Sequence, residues 1–285
     1  MKFISHLTKS FDTFQQKHAV LAFPVAVIKR YGDDKTGRQA ALVTYYAFLA
    51  LFPLLLVFIT ILGLVISNNP GLEAKIIGEV YKYFPALGDD LRGNVHTLKG
   101  SGVVLALEVL ALLYGARGLA AMLQEAFNNV WHVENEFRPG FVGDNLRSFG
   151  MMASVGFGIV IGTVLSYVVG TFLNFGIIGT VLLTLLNFLI TTGLFLIVFR
   201  LGTASRIGLQ CLWPGAIIAS IGVLIVQHFG TTIMAHELPK LTGTYGSFAL
   251  ALAMMFWIYL QSQIILYALE ITAVRAQKDW PKKLF

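Results

Sequence analysis

Between Arg147 and Arg200 the chain reads SFGMMASVGFGIVIGTVLSYVVGTFLNFGIIGTVLLTLLNFLITTGLFLIVF (residues 148–199), 52 positions without a single Asp, Glu, Lys or Arg. A helix crosses a hydrocarbon core of about 30 Å with roughly 20 residues. This stretch is therefore too long for one crossing and too apolar for a soluble core, so it must turn and cross twice. Gly170-Thr-Phe-Leu-Asn-Phe-Gly176 is the natural place. Lipid offers no partner to open backbone groups, which excludes an exposed sheet edge, and no barrel-type alternation appears. The fold class is all-α.

Other charge-free intervals extend the pattern. Arg38 to Glu73 encloses 34 uncharged residues, Arg206 to Glu237 encloses 30 and Lys240 to Glu270 encloses 29. A further apolar segment, 102–130, carries Glu108, Arg117 and Glu125. The expectation is a polytopic membrane protein with six transmembrane helices, at 40–66, 102–130, 149–170, 177–199, 209–232 and 246–274. Composition agrees: 56% of the 285 residues are hydrophobic and 13% charged, and mean hydropathy is +0.73. A soluble domain is about one quarter charged. Cys211 is the only cysteine, so no intrachain disulfide framework exists. No cleavable signal peptide is expected, since Phe3 to Gln16 carry Lys9 and Asp12 and no continuous apolar run.

Lys and Arg collect in cytoplasmic loops. The segments 1–38, 131–148, 200–208 and 275–285 hold fifteen, against five in 67–100, 171–176 and 233–245. Both termini are thus expected in the cytoplasm. The chain reads as one transmembrane domain, 1–285, with a cytoplasmic segment at 1–38, an extracytoplasmic loop at 67–100 and a cytoplasmic tail at 275–285. Phe3, Ile4, Leu7, Phe11 and Phe14 recur at helical spacing, as a surface helix would require. Ala19 to Ile28 is apolar but too short to span, with Pro24 inside it. Leu72, Ile76, Val80 and Tyr83 mark an amphipathic helix over the outer mouth, either a resting element or a gating lid.

An ionisable group within a span costs about 2.5–3.5 kcal/mol on insertion scales, so Glu108, Arg117 and Glu270 call for a reason. At 1.5 Å per residue, Glu108 lies roughly 10 Å below the outer surface and Arg117 roughly 8 Å above the inner one. Nine residues place them on opposite faces of the helix. Arg117 shares its face with Gln124, Asn128 and Trp131, while Tyr259, Gln263, Tyr267 and Glu270 fall within about 80° of arc on the last span. The two stripes are expected to face each other, with Arg117 paired to Glu270. That pair is either a lock between helices or part of a polar cavity for an anionic group. Glu108, deeper in the membrane, is the candidate proton site. Pro53 is the candidate kink of the first span, and Gly158 with Gly162 has the spacing of close helix approach, within a chain or between copies.

No metal site and no cofactor are expected. His236-Glu237 lacks the second histidine of a zinc helix, and neither a Gly-x-Ser-x-Gly elbow nor a phosphate-cradling loop is present. The basic N-terminal segment suits anionic lipid headgroups, not nucleic acid.

Three blocks carry a resemblance. They are Ala40-Ala-Leu-Val-Thr-Tyr-Tyr-Ala-Phe-Leu-Ala-Leu-Phe-Pro53; Tyr114-Gly-Ala-Arg-Gly118 followed by Asn128 and Trp131; and Tyr245-Gly246 followed by Trp257, Tyr259 and Glu270. Together, and in this order, they resemble the YihY/BrkB family of bacterial inner-membrane proteins. Tyr267-Ala-Leu-Glu270 departs from the Gly-Ala-Glu pattern expected there, which puts helix packing before Glu270 in question. The resemblance implies a six-helix inner-membrane fold with both termini inside. Its members have carried the labels ribonuclease BN, virulence factor and transporter. With no catalytic constellation in the chain, a non-enzymatic transporter or flippase is expected, moving an anionic or amphiphilic metabolite or lipid. Its partners would be membrane lipids, that small-molecule substrate and a second copy of the chain. The alternative is a membrane scaffold that docks envelope proteins.

Overall fold

The computed structural model describes residues 19–66, 102–172, 177–205, 207–245 and 247–281. Among these, the regular structure is helical throughout, with no strand. The helices are α1 (Ala19–Asp33), α2 (Thr36–Ile66), α3 (Gly102–Val130), α4 (Phe141–Phe172), α5 (Ile177–Gly202), α6 (Leu209–Tyr245) and α7 (Ser247–Gln277), with a 3-10 turn at Asn135–Phe137. Four stretches among the described residues are long and apolar enough to cross a membrane: Val103–Val130, Val181–Gly202, Leu209–Gln227 and Ala251–Gln277. The surface helix expected around Phe3 to Phe14, the outer amphipathic helix around Leu72 to Tyr83, and most of the Gly170–Gly176 turn lie outside the described residues.

Helix boundaries depart from the charge-based spans where charge and helicity part company. Helix α4 begins at Phe141, within the expected 131–148 loop, because Asp144 in its first turn complements the helix dipole. Helix α6 continues to Tyr245 through Glu237 and Lys240. A charge ends a membrane span without ending a helix. Pro24 and Pro53 both lie inside helices, α1 and α2 respectively.

The chain divides into two compact units. The first comprises Met1–Val43, Ala120–Gln227 and Tyr259–Phe285, and the second Thr44–Leu119 and His228–Ile258. The core of the first unit gathers Phe127, Val130 and Trp131 of the α3 end, Phe199 of α5, Leu212 and Ala216 of α6, and Leu266 and Leu269 of α7. Small residues let these helices approach. A Cβ on Gly215 would stand 2.1 Å from Thr272 Oγ1 and 3.1 Å from the Ala268 carbonyl oxygen, so glycine sets the α6–α7 distance. Gly158 serves α4–α5 in the same way, since its Cβ would meet Leu194 Cδ1 at 2.3 Å, whereas nothing stands within 4 Å of a Cβ at Gly162. Thr192 Oγ1 hydrogen-bonds Ser220 Oγ at 3.1 Å, a polar tie between α5 and α6. Large apolar side chains face outward, among them Leu107, Leu110, Phe157, Val181, Phe229 and Phe256. Helices that bury alanine and expose leucine and phenylalanine are built for a lipid surround.

Candidate functional site

Among the described residues the largest fully buried side chain is a cation, Arg30, in the last turn of α1. Three helix ends converge on it. Helix α1 stops at Asp33, α3 at Val130 and α7 at Gln277. Each is followed by a non-glycine residue in the left-handed region, namely Lys35 (φ 53°), His132 (φ 51°) and Lys278 (φ 53°). The caps at α3 and α7 show why. Val133 N–H reaches back to the Asn128 carbonyl (2.9 Å) and His132 N–H to that of Asn129 (2.9 Å). Asp279 N–H likewise reaches Val274 (3.1 Å), with Lys278 N–H on Arg275 (3.4 Å). These double bonds satisfy carbonyls that a helix end leaves open. They also aim His132 and Asp279 at the cluster.

Arg30 Nη1 donates to Gln277 Oε1 (2.6 Å) and pairs with Asp279 Oδ2 (3.1 Å), while Nη2 donates to the Val130 carbonyl (2.6 Å). Arg30 Nε stands 3.4 Å from Glu270 Oε2 and 3.5 Å from Asp34 Oδ2. Thr36 Oγ1 donates to the other oxygen of Glu270 at 2.7 Å. At the solvent edge His132 Nε2 meets both Asp34 oxygens, at 2.9 and 3.0 Å. One buried guanidinium thus serves three carboxylates, on α7, after α1 and after α7.

Glu270, the expected partner of Arg117, has its carboxylate engaged by Arg30 and Thr36 within the first unit. The charge count had placed Arg30 among cytoplasmic loop cations, and Asp34, Thr36, His132, Gln277 and Asp279 carried no signal beyond the four-residue spacing of Arg30 and Asp34. Tyr31 of α1 lies against Tyr267 and Gln263 of the α7 stripe. Tyr31 stacks on Tyr267 with ring centroids 3.8 Å apart and 2° between planes. Its hydroxyl donates to Gln263 Oε1, and Gln263 Nε2 donates to the Tyr259 hydroxyl. Burial, then the neighbouring Tyr267, Tyr259 and Glu270, push the Tyr31 phenol up from its ordinary value, so it stays a neutral donor.

On α3, two residues of the stripe have defined partners. Gln124 Nε2 donates to Ser148 Oγ (2.7 Å) and to the Asp144 carbonyl (3.2 Å), binding α3 to the start of α4. Asn128 Oδ1 accepts from Ala204 N–H (2.7 Å), tying α3 to the turn after α5. Trp131 is buried in the core. Arg117 and Glu108 both fall in the second unit, on the α3 segment Val103–Leu119, and both are partly exposed. No group of three or more His, Cys, Asp or Glu side chains that could hold a metal occurs among the described residues.

Comparison with known proteins places this architecture. Residues 27–283 match the family described as Virulence factor BrkB. The chain belongs to the BrkB family. Among its relatives are the UPF0761 membrane protein VV0203 of Vibrio vulnificus, 24% identical over 276 residues that cover 93% of this chain and 86% of that one. Inner membrane protein YhjD of Escherichia coli is 23% identical over 293 residues, covering 94% and 85%. A Bacillus subtilis protein with a ribonuclease-like name, YfkH, is 23% identical over 269 residues, covering 89% and 95%. No solved structure matches the chain. This BrkB-family chain is a helical membrane protein.

Proposed function

We propose that the protein is a bacterial inner-membrane transporter or flippase with six transmembrane helices, α2 to α7, and both termini in the cytoplasm. Its substrate is an anionic or amphiphilic metabolite or lipid. The observation that carries this reading is the apolar stretch Val103–Val130, which holds Glu108 and Arg117, both partly exposed. Two ionisable groups at a cost of about 2.5–3.5 kcal/mol each are kept in a span when a polar species passes them. Arg117 meets the anionic group, as a guanidinium suits phosphate and carboxylate. Glu108 carries a coupling proton. The Arg30 cluster, with α1 laid over α7, is the cytoplasmic latch.

Orientation has a native reporter. The single cysteine, Cys211, is exposed in the first turn of α6, next to the basic 200–208 segment. A membrane-impermeant maleimide is expected to label it in inverted vesicles and to miss it in intact spheroplasts. The opposite pattern overturns the topology.

Transport is tested in proteoliposomes with a fluorescent phosphatidylglycerol and a reductant that quenches only the outer leaflet. The wild-type protein should speed leaflet exchange, and Arg117→Ala should lose at least about tenfold of that rate, equivalent to about 1.4 kcal/mol of barrier. A second reading, the scaffold, draws support from Gln124, Asn128 and Glu270, which are all buried and hydrogen-bonded within the protein. It predicts exchange no faster than in protein-free vesicles.

A further inference from the structure

We infer that the turn between α5 and α6 holds the headgroup of an anionic phospholipid, with Arg147 and Arg200 as its cations and Trp213 beside its acyl chains. The inference rests on the membrane-embedded fold and not on transport. From Phe141 to Gln227 the sequence carries three basic residues, Arg147, Arg200 and Arg206, against one acid, Asp144. The turn joins two stretches long and apolar enough to cross a membrane, Val181–Gly202 and Leu209–Gln227, which sets it at a membrane surface. Arg147 Nη1 donates to the Thr203 carbonyl (3.2 Å) and Arg200 Nη1 to the Ile207 carbonyl, so both guanidiniums are drawn to this turn. A neutral carbonyl orients a guanidinium and leaves its charge in place. Among the described residues neither arginine pairs with a carboxylate.

The apolar surface beside the turn supplies the second observation. Ile197 precedes Arg200 by three residues on α5, and Leu209 and Trp213 stand four apart at the start of α6; all three side chains are exposed. Spacings of three and four place residues on one helix face. Arg200 therefore stands one turn above an exposed Ile197, and Leu209 one turn above an exposed Trp213. Four residues at 1.5 Å each set Trp213 about 6 Å deeper than Leu209, in the belt where indole rings anchor at the edge of a bilayer. A soluble anion would engage the cations alone. A phospholipid engages both parts: its phosphate oxygens meet the guanidiniums, and its chains lie on Ile197, Leu209 and Trp213. With three cations against one acid along these helices, that phospholipid is an anionic one.

The test is quenching of Trp213 fluorescence in the full-length protein, reconstituted in phosphatidylcholine vesicles. One arm adds rising fractions of chain-brominated phosphatidylglycerol, the other chain-brominated phosphatidylcholine. The Trp213 signal is the difference between wild type and Trp213→Phe. Phosphatidylglycerol should reach half-quenching at a mole fraction at least about fivefold lower than phosphatidylcholine. Arg200→Gln and Arg147→Gln should each remove most of that preference. Arg275→Gln, at an exposed cation in the last turn of α7, should keep it. Should one of the two site variants fail to fold, the other decides. Equal quenching by the two lipids, a preference that survives the site variants, or one lost equally in Arg275→Gln overturns the inference. The readout needs no transport: a protein that holds phosphatidylglycerol here yet speeds no leaflet exchange keeps the site and loses the transporter reading.

Discussion

Arg30→Ala is expected to destabilise the protein by about 3–5 kcal/mol, the cost of leaving a buried charge without its partner. The side chain reaches three carboxylates, one side-chain amide and the last carbonyl of α3, and it is wholly buried. Its removal strands Glu270, which is equally buried, and opens the end of α3. Thermal unfolding in detergent measures the loss. A double substitution, Arg30→Met with Glu270→Met, removes both charges and should recover most of it, since apolar replacement of a buried pair is often neutral. A single Arg30→Ala variant as stable as wild type would show that the cluster is hydrated and that α1 does not latch α7.

Phe127→Ala carries the second large effect, about 3 kcal/mol measured by the same unfolding assay. The ring is fully buried and meets Phe199 edge-on, with centroids 5.3 Å apart and planes at 84°. Gly202 leaves the room for it: a Cβ there would stand 2.6 Å from the Phe127 ring. In a membrane the driving force is close packing, not release from water, so the cavity dominates the cost. The control is Phe157→Ala, on an outward side chain that is 70% exposed, which should change stability little.

These two residues differ in how far the sequence announced them. Phe127 lies in α3, whose ends at Gly102 and Val130 coincide with the apolar segment. The α7 stripe of Tyr259, Gln263, Tyr267 and Glu270 was legible too, because helical period alone places those residues on one face. What lies against that face was not. Arg30 follows an apolar run too short to span, and a basic residue there counts toward orientation before it counts as a partner. The three left-handed caps that aim the cluster are Lys35, His132 and Lys278, none of them the glycine that usually marks such a position. Helices run past the charge-free spans for a related reason. Charge marks where lipid ends, so Asp144, Glu237 and Lys240 hid the first turns of α4 and the last turns of α6.

The most direct test of the proposed activity is mass spectrometry of lipids and metabolites that co-purify with the protein in nanodiscs, beside an Arg117→Ala control. A transporter for anionic amphiphiles predicts an anionic species enriched with the wild-type protein and lost with the variant. Identical profiles that mirror the bulk membrane in both samples would contradict it.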